Sequence, residues 1–118
     1  MVVACLVETE GDLMQHVRFG LYLLTGGTSD QVIERVRSKG GMAEVYQQQP
    51  GFVAYGIGVT DDDFLISLSI WDSAEQADAA TASAAEWVAE HIADRVELQE
   101  DFVGDLAFLL RAGGTLTG

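Results

Sequence analysis

The chain has 118 residues, 48% of them hydrophobic, which suits a single domain with a core of its own. Its 19 acidic and 6 basic side chains give a formal charge of -13. A surface this acidic repels phosphate backbones and anionic lipid headgroups, which argues against nucleic acid and membranes as partners.

An N-terminal arm, residues 1–15, precedes the first long strand pattern. Its apolar run Val2–Val7 is typical of a short strand and is too short to span a membrane. The arm could pair with a sheet edge or be an extension ahead of a start at Met14. The lone cysteine, Cys5, fits a small core residue. It excludes an intrachain disulfide and gives no support to secretion, so we expect a cytoplasmic protein.

The first main strand comes next. Apolar and other residues alternate over His16–Thr25, which predicts a strand, and we expect His16 itself to be exposed at its start. Gly26-Gly27-Thr28 predicts the turn that ends this strand. The Lys-Ser/Thr pair of a phosphate-binding P-loop is missing after these glycines.

A helix with one interruption is predicted after this turn. Ser29 or Asp30 is expected to cap it, and Gly40-Gly41 to break it before it resumes to about Gln48. Three bases beside the break form the chain's one cationic cluster, interpreted as a solvated face: Arg35, Arg37 and Lys39.

A hairpin occupies the centre of the chain. Pro50-Gly51 ends the preceding segment, because proline has no N–H to continue a helix. Phe52–Thr60 and Phe64–Trp71 are rich in β-branched and aromatic residues and predict two strands. The three acids between them, Asp61–Asp63, favour a solvated turn. A metal site there is disfavoured, since consecutive acids do not converge on one cation as spaced calcium ligands do.

An alanine-rich helix follows the hairpin at once. Ser73 and Gln76 have the spacing of a capping box. Apolar residues then recur at helical spacing, mostly as alanines that would let the helix lie close to a sheet: Ala77, Ala80, Ala84, Trp87, Val88 and His91. Residues 94–101 are expected to connect to a last strand at roughly Phe102–Leu110, and residues 111–118 to form a tail.

This order of elements predicts an α+β, ferredoxin-like βαββαβ domain over residues 16–110. Its four-stranded antiparallel sheet would carry both helices on one face. If Phe19 and Ile66 face the helices, the bare face carries Arg18, Tyr22, Leu65, Ser67, Ser69 and Trp71. Gly56 and Gly58 could allow close helix packing. Since a bare apolar face needs cover, we expect a homodimer with a pocket in the covered space.

The centre of the chain also resembles a known family. Pro50-Gly51-Phe52, a strand, an acidic turn and a strand ending in Ser69-Ile70-Trp71-Asp72-Ser73 before an alanine-rich helix are similar to the dimeric α/β-barrel proteins. Within them the chain looks like the antibiotic-biosynthesis monooxygenase (ABM-like) group. The resemblance covers residues 16–110 and implies a dimeric barrel. The superfamily includes cofactor-free quinol oxygenases, haem-degrading enzymes, isomerases and members with no known activity.

The resemblance implies catalytic candidates. In the cofactor-free oxygenases a tryptophan near the end of this strand lines the pocket, and Trp71 matches it. Those enzymes carry an asparagine four residues earlier, where this chain has Ser67. A hydroxyl is shorter and offers one donor, whereas an amide offers both an acceptor and an NH₂ donor, so the mechanism does not transfer directly. Arg18, Tyr22 and Tyr55 are the candidates for holding an oxyanion.

Two more residues, Ser69 and His91, are assigned to substrate binding. Tyr22 and Ser69 could equally be structural, and Trp71 could instead anchor a dimer interface. Haem degraders of the superfamily use a helix histidine as iron ligand, and His91 lies one residue out of step with it. The second tryptophan and the asparagine of those enzymes are missing, so we expect no cofactor, haem included.

The resulting hypothesis is a cofactor-independent monooxygenase-like protein. It would act on a small quinol- or anthrone-type aromatic in a pocket between sheet and helices. The alternative is a dimeric small-molecule-binding or accessory protein without turnover. An open pocket of roughly 300 Å³ or more, with Trp71, Arg18 and a tyrosine converging on it, would favour the enzyme, and a closed dry one the alternative.

Overall fold

The structure is a computed structural model that describes residues 14–110 and 116–117. Within them the elements are β1 His16–Leu24, α1 Ser29–Arg37, α2 Met42–Gln47, β2 Phe52–Val59, β3 Phe64–Trp71, α3 Ala74–His91, β4 Val96–Asp105, β5 Leu109–Leu110 and β6 Leu116–Thr117. The strand and turn predicted in the N-terminal arm, and Cys5 with them, lie outside the described residues.

Four strands form one antiparallel sheet in the order β2-β3-β1-β4. In its centre Val17 of β1 lies between Ile70 of β3 and Gly104 of β4. The core lies between this sheet and the three helices. This is the ferredoxin-like arrangement, so the predicted α+β fold is confirmed. β5 and β6 pair separately as a small ribbon.

The central hairpin forms where the sequence predicts it. The Thr60 backbone N–H donates to the Phe64 carbonyl at 2.9 Å, and the Thr60 hydroxyl donates to Asp62 Oδ1 at 2.7 Å. Asp63 has a φ of 66°, in the left-handed region that aspartate tolerates better than most residues. All three turn acids are exposed, so the prediction of a solvated turn is confirmed.

The first helical segment begins one residue earlier than expected. Its cap is Thr28, whose Oγ1 accepts from the Gln31 N–H at 3.2 Å, while the Thr28 N–H donates to Gln31 Oε1 at 3.1 Å. The assignment of the cap to Ser29 or Asp30 was therefore wrong, because neither has a Gln or Glu three residues on to complete the box. The predicted break is confirmed, since α1 and α2 flank Gly40, which has a φ of 79°.

The long helix α3 packs through its alanines. Ser73 caps it as predicted, with Oγ accepting from the Gln76 N–H at 3.2 Å. Ala77 and Ala80 are each 1% exposed and bring the helix close to the sheet. Trp87 fills the space toward α1 and α2 and donates its Nε1–H to the Gly40 carbonyl at 2.9 Å. The helix therefore covers both the sheet and the break between the shorter helices.

The two faces of the sheet are reversed relative to the assignment considered from the sequence. Tyr22, Leu65 and Trp71 face the helices, whereas Phe19 and Ile66 lie on the outer face, 41% and 36% exposed. The reason is volume, because a helix that presents alanines leaves depth that only large sheet residues can fill.

The glycines of β2 follow the same reversal. Gly56 and Gly58 pair with Leu68 and Ile66 on the outer face, where an added Cβ would meet nothing within 4 Å. The expectation that they allow close helix packing was wrong. Tyr55 and Ile57 face the helices instead, and so does Phe52, which precedes a register shift in β2.

The last strand and the first residue of β1 also differ from expectation. β4 starts at Val96, opposite Leu24, and not at Phe102. A register shift between Leu21 and Tyr22, together with the acids of this edge strand, breaks the alternation that would have shown it. His16, expected to be exposed, is 8% exposed because it lies between β3 and β4. No helix within residues 14–110 is long and apolar enough to cross a lipid bilayer.

Candidate functional site

A small cavity lies between the sheet and the helices. Its volume is about 40 Å³. Its walls are aliphatic side chains from all three helices, together with Tyr22 of β1, Tyr46 of α2, and Tyr55 and Ser67 of the central hairpin. A buried water needs roughly 10–15 Å³ of such space, so the cavity has room for a few waters but not for an aromatic ring.

Tyr46 connects this cavity to the aromatic core. Its ring meets Tyr55 edge to face at 4.6 Å and Trp71 edge to face at 5.1 Å. Phe52 packs on the far side of Trp71 at 5.6 Å. Edge-to-face contacts place the positive edge of one ring against the negative face of the next, which fixes the positions of the phenol groups.

The three tyrosines are held in their neutral, hydrogen-donating form. Burial raises the pKa of Tyr22, Tyr46 and Tyr55, because an ionised phenolate would lose its hydration. The Arg18 guanidinium opposes this effect at Tyr22 and Tyr46, where its charge lowers the pKa. The cavity is therefore a cluster of neutral O–H donors within the field of one cation.

Arg18 is held at the edge of this cluster by Asp101 of β4. Its Nη2 donates to Asp101 Oδ2 at 2.6 Å, and its side chain is 13% exposed against 38% for the carboxylate. The pair leaves the cation nearly buried, while its counter-charge faces solvent. Arg18 can thus still attract an anion from the side opposite Asp101.

An open groove continues outward from the cavity. It measures about 220 Å³ and runs between α3 and the start of β4. Arg18, Tyr22 and Thr81 supply its polar groups, and alanines, valines and Leu98 supply the rest. Tyr22 lines both the groove and the inner cavity, so its ring stands between the two spaces.

Gly20 sets the position of that ring. A Cβ added at Gly20 would come within 2.9 Å of Tyr22 Cε1. Both residues face the helices on β1, and the absence of a side chain at one lets the ring of the other lie along the strand. Any residue larger than glycine there would push Tyr22 aside.

The sequence-predicted residues therefore fall into three places. Tyr22, Tyr55 and Ser67 line the cavity, and Arg18 lines the groove. Ser69, 3% exposed, lies beside them with a hydrogen bond to Tyr46. Two residues lie away from the cavity walls: Trp71 and His91.

Those two residues have separate environments. Trp71 is 1% exposed within the core, one ring behind Tyr46. His91 lies at the end of α3, with Nδ1 2.9 Å from Arg35 Nη2. Neither lines the cavity or the groove. Within residues 14–110, no three His, Cys, Asp or Glu side chains converge as metal ligands.

Tyr46 was missed as a site residue. The sequence presents it only as one more apolar position of a helix, after a glycine break that leaves its direction open. The strand tyrosines Tyr22 and Tyr55 were named as candidates for holding an oxyanion, and that role stays a prediction. A helix residue that reaches across to strand phenols has no comparable sequence signal.

Comparison with known proteins agrees with this architecture. No family model matches the chain, and no curated protein matches it. Among solved structures, SnoaB, a cofactor-independent oxygenase from Streptomyces nogalater, superposes with a TM-score of 0.61 at 16% identity, over 77% of this chain and 91% of that one. A candidate antibiotic biosynthesis monooxygenase from Chloroflexus aurantiacus J-10-fl gives 0.60 at 21% identity, over 79% and 93%.

A third structure points the same way. A candidate antibiotic biosynthesis monooxygenase from Bacillus cereus gives a TM-score of 0.56 at 18% identity, over 84% of this chain and 99% of that one. This chain shares the fold of these three proteins. The likeness inferred from the central motif is confirmed at the level of fold, and the groove and cavity of this domain lie between its sheet and its helices.

Proposed function

We propose that the chain is a cofactor-independent, monooxygenase-like protein for a small quinol- or anthrone-type aromatic. The observation that carries the proposal is the junction at Tyr22. A neutral phenol and a guanidinium there face an apolar groove that opens to solvent. An aromatic ring would lie against the alanines and valines of α3, with its oxygen toward Tyr22 and Arg18.

The chemistry would follow from stabilising the substrate as an anion. A phenol or enol loses its proton more easily when the resulting oxyanion accepts from the Tyr22 O–H and lies beside Arg18. The electron-rich anion then reduces O₂ and forms a carbon–oxygen bond, giving a hydroperoxide. Loss of water converts that carbon from CH₂ to C=O. One oxygen atom enters the product and the other leaves as water, so the substrate itself supplies the electrons.

The size of the site limits the substrate. The groove is about 220 Å³ and the cavity about 40 Å³, together somewhat below the ~300 Å³ at which ordinary ligand pockets begin. A one- or two-ring substrate would fit the groove as it stands. A three-ring anthrone would require the Tyr22 ring to turn and join the two spaces.

The side chains that line the site also favour a second candidate, a small-molecule-binding protein without turnover. Among the described residues, no carboxylate or histidine lines the groove or the cavity to take the substrate's proton. A pocket of neutral hydroxyls suits binding of a phenol at least as well as its oxidation. The two candidates differ only in whether oxygen is consumed.

Oxygen uptake with a panel of anthrones and dihydroquinones, without added metal or flavin, tests the proposal. Wild-type protein should exceed the spontaneous rate. Tyr22→Phe and Arg18→Gln should each lower the excess at least about tenfold, since a lost oxyanion donor typically costs that much or more. Thr25→Val, which removes an exposed hydroxyl that lines neither the groove nor the cavity, is the matched control. Saturable binding of the same compounds with no uptake would transfer the assignment to the binding protein.

The outer face of the sheet is proposed to be the homodimer interface. Phe19 and Phe102 lie directly opposite each other in β1 and β4, 41% and 55% exposed, and Ile66 continues the apolar surface. The open glycines of β2 leave this face flat enough for a second sheet. An isologous dimer would cover the same patch on both copies.

Sedimentation at micromolar concentration tests the dimer. Wild type should sediment as a dimer and Phe19→Asp as a monomer, because a carboxylate at the centre of the interface would be buried without a partner. Val59→Asp places the same charge on a half-exposed residue of the helix-facing side and should stay dimeric. A monomeric wild type would refute the interface.

A further inference from the structure

A second depression lies between α1, the end of α3 and the residue before β4. It measures about 320 Å³ and is lined by Gln31 and Arg35 of α1, His91 and Ile92 at the end of α3, and Arg95 before β4. Every polar group in its wall is an amide, an imidazole or a guanidinium. No carboxylate lines it, although the chain carries 19 acids.

Among the described residues, the two guanidiniums in this wall have no carboxylate partner. Across residues 14–110, neither Arg35 nor Arg95 has a carboxylate oxygen within 4.0 Å, whereas Arg18 does. The nearest acid to the depression's polar groups is Glu90, with Oε1 3.8 Å from His91 Nε2. The chain as a whole has a formal charge of -13. Two unpaired cations that face one space therefore create a local positive potential on an otherwise negative surface.

Hydrogen bonds hold the polar groups in place before any ligand arrives. Arg95 Nη1 donates to Gln31 Oε1 at 3.0 Å, and that oxygen also accepts from the Thr28 backbone N–H. Arg35 Nη2 lies 2.9 Å from His91 Nδ1. Because a guanidinium can only donate, Nδ1 accepts, which leaves the imidazole proton on Nε2, the nitrogen that lies 3.8 Å from Glu90 Oε1.

The absence of a side chain at Gly27 leaves room for the polar groups of this cluster. Gly27 has a φ of 73°, and a Cβ at this position would run into Gln31 Oε1 and Arg95 Nη1. The ring of His91 lies at 4.8 Å from the buried ring of Trp87, which limits its rotation. The site is therefore built on α1, α3 and the turn after β1, and hydrogen bonds and a ring contact restrict its side chains.

We propose that Arg35, His91 and Arg95 bind a phosphate dianion, either free or as the phosphate group of a small ester. Two guanidiniums carry two positive charges, which match a dianion, and the His91 Nε2–H adds a third donor direction for a tetrahedral group. A carboxylate would neutralise only one of the two guanidiniums. The bound anion would join the last turn of α1 to the end of α3.

The test is isothermal titration of inorganic phosphate into the full chain, in a phosphate-free buffer at constant ionic strength. Wild type should bind one phosphate per chain. Arg35→Gln and Arg95→Gln should each weaken binding about tenfold or more, the usual consequence of losing one charge-assisted hydrogen bond. Arg37→Gln removes an exposed cation of the same helix that does not line the depression, and should bind as wild type does.

Thermal unfolding provides a second readout that does not depend on heat of binding. Phosphate should raise the unfolding midpoint of wild type and Arg37→Gln, and raise it less for the other two variants. Equal affinity across all four proteins, or no saturable binding, would overturn the site. Acetate binding as tightly as phosphate at the same ionic strength would overturn the assignment to a dianion.

Discussion

Substitution of Trp71 separates a structural role from a chemical one. The side chain is 1% exposed and lies behind Tyr46, away from the walls of the cavity and the groove. If that position describes its role, Trp71→Phe should lower stability and leave ligand binding or oxygen uptake per folded molecule unchanged. Trp71→Ala should lower stability far more than Trp71→Phe does.

The expected magnitudes follow from burial and ring contacts. Truncating a fully buried tryptophan to alanine costs about 3–5 kcal/mol, a large part of the about 5–15 kcal/mol that stabilises a typical domain. Phenylalanine keeps most of the apolar volume and can still meet Tyr46 and Phe52 edge to face, each such contact being worth about 0.5–1.5 kcal/mol. We therefore expect about 1–2 kcal/mol for Trp71→Phe, within the usual range of core substitutions.

Urea unfolding followed by far-ultraviolet circular dichroism measures this cost, at two protein concentrations so that any contribution from association is visible. The chain has two tryptophans, so Trp87→Phe is both the matched control and a variant whose fluorescence reports Trp71 alone. That emission should be blue-shifted in the folded state and move to the red on unfolding.

One result would refute the structural role of Trp71. If Trp71→Phe is as stable as wild type and yet abolishes uptake or binding, the indole acts on the ligand directly. The site would then have to extend behind Tyr46. If Trp71→Phe lowers both stability and function, function should be measured at a urea concentration well below the unfolding midpoint of the variant. The protein is then folded, and any remaining loss of function is separate from the loss of stability.

Three other substitutions and conditions test the geometry. Gly20→Ala should displace the Tyr22 ring and weaken aromatic binding with little loss of stability, as measured by fluorescence titration and urea unfolding, because the clash is with a movable ring edge. Gly27→Ala should cost about 1–2 kcal/mol in urea unfolding, because a residue with a Cβ disfavours φ of 73°. The contribution of the three tyrosines to stability should be constant below about pH 10 and decrease above it, since tyrosines with a raised folded-state pKa ionise first in the unfolded chain. Absorbance of tyrosinate during alkaline unfolding measures this directly, and ionisation of all three phenols before unfolding would contradict their burial.

Local chemistry explains why most of the fold was predictable. The acidic turn at Asp61–Asp63, the Ser73 cap and the glycine break after α1 each depend on neighbouring residues, so the sequence alone specifies them. The start of β4 was not predictable in the same way. Val96 joins the sheet only because it pairs with Leu24, far away in the chain, and a register shift alters the alternation.

Which face of the sheet meets the helices could not be predicted from the alternation of residues alone. Phe19 and Ile66 on one side are as apolar as Tyr22 and Leu65 on the other, so alternation divides the strands without saying which side meets the helices. The alanine face of α3 was the available signal, because small helix residues require large partners. The reversal moved the predicted tyrosines and serines into the interior but kept them together as one cluster.

The central position of β1 determines when this domain can be completed on the ribosome. Arg18 and its partner Asp101 are 83 residues apart, and at about 5–20 residues per second of synthesis the second would follow the first by roughly 4–17 s. Until β3 and β4 emerge, β1 has no partner on either edge, and its hydrophobic residues are exposed to other nascent chains. Overexpression should therefore favour aggregation by raising the concentration of such incomplete chains, and weaker induction should increase the soluble yield.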